Sequence, residues 1–300
     1  MHSDIYYNSI SLYKFVRIKK IFNYKNILSK TLKRYNIKGV ILIAPEGINM
    51  NISVVSFETK GLLAELYDLL NFSKNEVKII KCYQHIYRKL KIKIKKEIIS
   101  TENKVRFLEK NKVGEYIKPA EWDSFIQNDD VILVDTRNEY EINVGTFKSA
   151  LNPKCKNFSA ILNWISSNLL KRKNIKRKKI VMFCTGGIRC EKATSFVKEL
   201  GHKNVYHLQG GILNYFNSNN RHDSWTGECF VFDDRVSIKK DLSQGEYEVC
   251  YACRMPLSKK DTESYKYEKG ISCTYCYGRK TKKQLTKYSL RQKQINYEKK

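Results

Sequence analysis

The chain has 300 residues, long enough for two or three domains. Hydrophobic residues make up 42%, which supplies real cores and argues against global disorder; no apolar run approaches the roughly 18 residues a membrane helix needs. A net charge of +27, from 57 basic and 30 acidic residues, points to a polyanionic partner, most simply nucleic acid, although the excess of Lys over Arg (44 to 13) also fits an AT-rich codon bias.

The opening "MHSDIYYNSISLYKF" lacks a charged stretch followed by an apolar one, so it does not read as a secretory signal, and a cytoplasmic protein is expected. In that reducing compartment the nine cysteines are candidates for catalysis or metal binding, and their odd number argues against a complete disulfide framework.

Residues 1–105 read as a small α+β unit. "ISLYKFVRI" is a strand, "NILSKTLKRYNI" a helix, "GVILIA" and "INMNISV" strands, "FETKGLLAELYDLL" a helix, and "EVKIIKCY" a strand. The β-α-β-β-α-β order predicts a ferredoxin-like, acylphosphatase-like sheet. In "KLKIKIKKEII" lysines alternate with apolar residues, so one face is buried and the other is a comb of positive charge. Between the middle strands, Gly47 of "APEGIN" permits a tight turn whose N–H groups can hold an anion; an ordinary hairpin loop is the alternative.

Residues 113–222 alternate short continuous apolar strands ("VILVD", "KIVMFC") with helices ("AEWDSFI", "FSAILNWISSNLL", "EKATSFVKEL"), then "NVYHLQGGI". This predicts a doubly wound parallel sheet with its ligand site at the C-terminal strand ends, where Asp135 and Cys184 fall. Residues 223–300 are polar and cysteine-bearing with a basic tail. Basic residues cluster in three runs: "KCYQHIYRKLKIKIKKEII", "KRKNIKRKK" and "GRKTKKQLTKYSLRQKQINYEKK". Each can be a solvated face; together they favour contact with RNA or DNA.

In "CTGGIRC" a thiol at a strand end opens into a helix. Loop N–H groups and the helix N-terminus converge on the sulfur of Cys184 and stabilise an anion there. Gly186 and Gly187 let the loop of Thr185, Gly186, Gly187, Ile188 and Arg189 curl without Cβ clashes, and Arg189 adds a cation. Cys190, in the first helical turn, is either a candidate resolving thiol or an inward-packed residue. Asp135 and Arg137 either contact substrate or form a network supporting the thiol loop. The four cysteines of "CYAC" and "CTYC" (Cys250, Cys253, Cys273, Cys276) have the spacing of a tetrathiolate zinc ribbon, with an iron–sulfur centre or a redox dithiol pair as alternatives. Cys82, Cys155 and Cys229 are isolated and read as structural.

"CTGGIR" resembles the active-site loop of rhodaneses, and "VDTRNEYEINVGTFKSALNP" their other signature, with Asp135, Arg137, Glu141, Gly145, Ala150 and Asn152 in matching places. Together with "APEGIN", "GECFVFDDRV" and "CRMPLS", the chain resembles the tRNA uridine hydroxylase family of rhodanese-domain proteins over about residues 10 to 295. The resemblance implies oxygen-dependent 5-hydroxylation of the wobble uridine, molecular oxygen as co-substrate, tRNA as partner, and Cys184 as a catalytic cysteine carrying a persulfide. A plain sulfurtransferase moving sulfane sulfur through Cys184, and a non-catalytic RNA-binding protein, are the competing readings. No dinucleotide fingerprint or small-molecule nucleotide cofactor is evident, and the reductant is not legible.

Overall fold

The computed structural model describes residues 5–73, 76–105, 112–218 and 222–298, so the two lysines that end the basic tail lie outside the described residues. The N-terminal unit runs β1 (Tyr7–Phe15), α1 (Ile21–Leu32), β2 (Ile37–Ala44), β3 (Gly47–Val55), α2 (Thr59–Leu70), β4 (Val77–Cys82) and β5 (Leu90–Ile94). The sheet order is β4-β1-β3-β2-β5: the ferredoxin-like arrangement, with β5 added in parallel to β2. Strand alternation sorts its two faces. Ile10, Leu12, Ile41, Ile43, Ile48, Met50 and Ile52 point into a core closed by Leu28 and Leu32 of α1 and Leu62, Leu66 and Leu70 of α2, which recur at helical spacing. The other face mixes polar residues such as Ser11, Asn49 and Asn51 with Val40, Leu42 and Tyr13.

The first helix starts at Ile21 and ends at Leu32, earlier than its sequence pattern suggests, because Ile37 is claimed by β2, where it pairs with Val54. The β2–β3 turn is tight at Gly47, whose φ is +150° and where a Cβ would meet Lys14 O at 2.0 Å. Its Glu46 turns inward, so the turn presents a carboxylate to the neighbouring unit.

The central unit contains β6 (Glu115–Ile117), α3 (Pro119–Ile126), β7 (Val131–Asp135), α4 (Glu139–Ile142), β8 (Gly145–Phe147), α5 (Phe158–Trp164), β9 (Lys179–Phe183), α6 (Ile188–Glu199), β10 (Val205–Leu208) and α7 (Gly211–Phe216). Its parallel sheet has the order β6-β10-β9-β7. One face packs Phe158, Ile161 and Leu162 of α5 and Ala193 and Val197 of α6; the other packs Trp122 of α3 and Ile212, Tyr215 and Phe216 of α7. Burial on both faces explains why the strands are continuously apolar. This core extends past residue 222: β11 (Trp225–Gly227) pairs with β8, and Trp225, Cys229, Val231 and Ile238 join it, the last three around the short β12 (Cys229–Phe230) and β13 (Ser237–Ile238).

Beyond it, β14 (Glu248–Val249) and β15 (Pro256–Leu257) form a hairpin beside α8 (Lys259–Thr262), and α9 (Lys282–Glu298) carries the basic tail, tied back by Arg291 Nη2 donating to Gly270 O at 2.9 Å. The run "KRKNIKRKK" leads into β9, at the opposite end of that strand from Cys184. No helix among the described residues is long and apolar enough to cross a membrane.

Candidate active site

Cys184 is the first residue after β9 and is fully buried at the floor of the loop. Gly187 N–H donates to its Sγ at 3.1 Å. Gly187 adopts φ +99°, and a Cβ there would lie 2.9 Å from the hydroxyl of Tyr13, so glycine is required both for the turn and for the close approach of the N-terminal sheet. Burial works against ionisation of Cys184, but a hydrogen bond from the Cys190 thiol, the charge of Arg189 and the N–H groups of Cys190 and Arg189 outweigh it, and the thiol lies well below its ordinary value. Cys190 is held the opposite way: burial and the anionic neighbour push its thiol well above the usual range, and it sits 3.5 Å from Thr136 Oγ1. The two shifts are opposed, so Cys184 is the thiol of the pair that ionises first.

Arg189 does not float free. Its guanidinium forks onto Glu141 with two contacts of 2.7 Å, and Glu141 in turn caps α4 by accepting from Asn138 N–H. Asp135 and Arg137 pair with each other through Nε (3.0 Å) and Nη2 (2.7 Å); Arg137 also donates to Gly145 O, and Thr146 to Asp135. Both are fully buried, and neither lines the cavity beside Cys184. Their contacts brace the strand ends beneath the loop.

That cavity has a volume of about 560 Å³, within the range of small-molecule sites. All three sequence segments wall it: Ser11, Tyr13, Asn49, Asn51 and Lys78 from the N-terminal sheet, the thiol loop from the centre, and Phe232 and Arg235 from the last segment. Thr185 Oγ1 is buried on this wall and has no hydrogen-bond partner among the described residues.

Sequence reasoning missed the roof. Lys78 on β4 donates to Gly186 O and stands 5.4 Å from the Tyr13 ring; burial lowers its amine to about 8, while Cys184 and Glu191 pull it back up. Glu191 accepts from Tyr13 (3.0 Å) and Tyr116 (2.8 Å); burial raises its carboxyl, and the tyrosine hydrogen bonds oppose this. Behind it, burial drives the His207 imidazole down to about 3, so His207 is neutral, and its ring nitrogens make no hydrogen bond among the described residues. Next along α6, the fully buried Lys192 Nζ reaches Glu46 at 2.9 Å, Glu97 at 3.0 Å and Ile99 O at 3.1 Å, fastening the N-terminal unit to the helix that begins at the thiol loop. Glu191 and Lys192 stand directly after the thiol motif, and Glu46 lies in "APEGIN"; that adjacency was the available signal. Tyr13 and Lys78 gave none, being ordinary strand residues.

Four of the other cysteines form a second cluster. The sulfurs of Cys250, Cys253, Cys273 and Cys276 all lie within 4.8 Å of one another, with separations of 3.6, 3.7 and 3.9 Å between three of the pairs. A tetrahedral ion with bonds of about 2.3 Å places its sulfurs about 3.8 Å apart. Four converging thiols at that spacing can hold a metal ion.

Comparison with known proteins agrees with this layout. Residues 7–98 match the model of a UPF0176 acylphosphatase-like domain, and residues 118–218 that of a rhodanese-like domain. A protein of Pelagibacter ubique named tRNA uridine(34) hydroxylase is 42% identical over 98% of this chain and 96% of its own. The chain belongs to the tRNA uridine(34) hydroxylase family. A second member, from Teredinibacter turnerae, is 42% identical over 95% of this chain and 88% of its own. A solved structure of a rhodanese-related protein from Thermoplasma volcanium shares 20% identity, covering 35% of this chain and 93% of that one at a TM-score of 0.28.

Proposed function

We propose that this protein hydroxylates C5 of the wobble uridine of tRNA, in the cytoplasm, with Cys184 as its catalytic cysteine. The observation that carries the reading is a stabilised thiolate opening onto a cavity walled by all three segments, in a chain alike over nearly its full length to tRNA uridine(34) hydroxylases. Base chemistry at C5 requires an unstacked nucleotide, and an anticodon loop offers one. Thr185, Arg189 and Lys78 supply a hydroxyl and two cations around the sulfur, suited to holding an anionic persulfide and the polar edge of a pyrimidine. With molecular oxygen as co-substrate, inserting one oxygen atom into the C–H bond and releasing the other as water consumes two electrons and two protons. Oxidation of the Cys184 thiolate and Cys190 thiol to a disulfide would release two electrons and one proton, with the second proton drawn from solvent, and this is the resolving role read for Cys190.

The four-cysteine cluster is read as a structural zinc site: zinc supplies the tetrahedral bonding, and Cys250, Cys253, Cys273 and Cys276 hold it. Asp135 and Arg137 are positioning residues beneath the thiol loop.

Nucleoside mass spectrometry of tRNA from cells lacking the protein, and lacking any second route to the product, tests this. Wild-type protein should restore 5-hydroxyuridine or its derivatives, and Cys184→Ala should lower it by about 10³-fold or more, the scale of losing a nucleophile. Unchanged hydroxyuridine with altered thiolated nucleosides would replace this reading with the sulfurtransferase one.

A further inference from the structure

The register of the N-terminal sheet lines up residues that are far apart in sequence. Across the strands, one row reads Lys93, Leu42, Asn49, Tyr13, and the next Lys91, Val40, Asn51, Ser11, Lys78. Cα partners in paired strands point to the same face, so all nine side chains share the face opposite the helix-covered core. From Leu42 and Val40 inward, every one of them lines the cavity beside Cys184. Lys91 and Lys93 continue that face outward at the sheet edge; both are exposed, and neither has an ion-pair partner among the described residues. The alternating comb therefore aims its charge along the cavity side of the sheet. Three strand spacings of about 4.8 Å put β5 roughly 14 Å from β1.

We propose that this open sheet face is a seat for a single-stranded RNA loop, with Lys91 and Lys93 receiving its phosphates at the outer edge and the chain crossing β2 and β3 toward Cys184. The inference deepens the hydroxylase reading and rests on it for the substrate class. Unpaired nucleotides suit such a seat because their phosphates can follow the lysines while their bases turn into the cavity. Phe232, on the cavity wall yet 64% exposed, offers an aromatic face for a base. The hydrogen-bonded row Ser11 Oγ to Asn51 Oδ1 (2.8 Å) and Asn51 Nδ2 to Asn49 Oδ1 (3.0 Å) fixes the amides in the floor. The run "KRKNIKRKK" lies at the far end of β9, so Lys171 and Lys173 are a matched control of equal charge.

The probe is a labelled anticodon stem-loop RNA with uridine at the wobble position, titrated by fluorescence anisotropy over a salt series. Lys91→Gln with Lys93→Gln should reduce the slope of log affinity against log salt by about 1.4, two phosphate contacts at about 0.7 each. Lys171→Gln with Lys173→Gln should leave it unchanged. Phe232→Ala should weaken binding by roughly tenfold with the slope intact, the mark of lost stacking. An unchanged slope in the Lys91/Lys93 variant, or equal losses in both lysine pairs, overturns the seat. Alkylation of Cys184 at the wild-type rate verifies the fold of each variant. If wild-type protein binds with the stated dependence and does not hydroxylate, the seat stands and the chemistry falls; hydroxylation by the Lys91/Lys93 variant at wild-type KM sinks the seat alone.

Discussion

The two cysteine clusters place sulfur in opposite settings. At Cys184 the protein supplies the positive potential itself: loop N–H groups, Arg189 braced by Glu141, and a neighbouring thiol. The sulfur accepts from the loop N–H groups and still faces a cavity. In the C-terminal cluster four thiols converge on one point, and the hydrophobic residues around them are few: Leu257 buried, with Ala252 and Tyr267 beside it. On the zinc reading, such a module would draw its stability from the ion, which would occupy the sulfurs. An anion stabilised by dipoles stays available for chemistry; one stabilised by a metal becomes architecture.

Metal removal should break the comparison most visibly. Purified protein is expected to carry about one zinc per chain, and a strong chelator, or Cys253→Ser, should unfold the segment from Glu248 to Gly278, since binding energies at such sites are of order 10 kcal/mol. Elemental analysis and limited proteolysis read this out. Cys184 alkylation should not change; a parallel loss would mean that the two sites share one stability.

Lys192→Ala attacks the other side. It leaves Glu46 and Glu97 facing each other without their cation, and should destabilise the N-terminal and central units by about 3 to 5 kcal/mol, the usual result of stranding one half of a buried pair. Calorimetry should show that transition moving down while zinc content holds. A shift below 1 kcal/mol would mean that the fastening is ornamental.

The smallest effect is a pH shift. Because the Cys184 thiol titrates below its ordinary value, its reactivity should persist as pH falls past the normal thiol range and fade only through the lowered value. Cys190→Ala removes the first of the favourable contacts, so the midpoint of the alkylation profile should move upward and the rate at neutral pH should drop; Cys190→Ser keeps a donor and should move it less. A downward move would show that Cys190 opposes the thiolate.

How much of this was legible follows from distance along the chain. The thiol loop and the paired C-x-x-C knuckles are local: their geometry is set by residues within a few positions, so composition and spacing expose them. The strand alternation in "KLKIKIKK" was equally plain, but which side the lysines face depends on β5 lying beside β2, and no local pattern encodes that register. The roof was illegible for the same reason. Tyr13 bonds Glu191 across 178 positions, Lys192 reaches Glu46 across 146, and Lys78 meets Gly186 across 108. Each is an unremarkable residue until tertiary folding brings it against the thiol loop or the helix that follows it.

Trp225 carries a lesson for anyone who would cut this chain. Its ring covers the guanidinium of Arg137 at 5.3 Å, and its strand completes the edge at β8. The rhodanese-like match ends at residue 218, before it. A fragment trimmed to that boundary would uncover Arg137 and the strand ends it braces, so the reactive loop cannot be excised with its own domain label. The borders drawn by family likeness and those drawn by packing differ here, and a working fragment has to follow the packing.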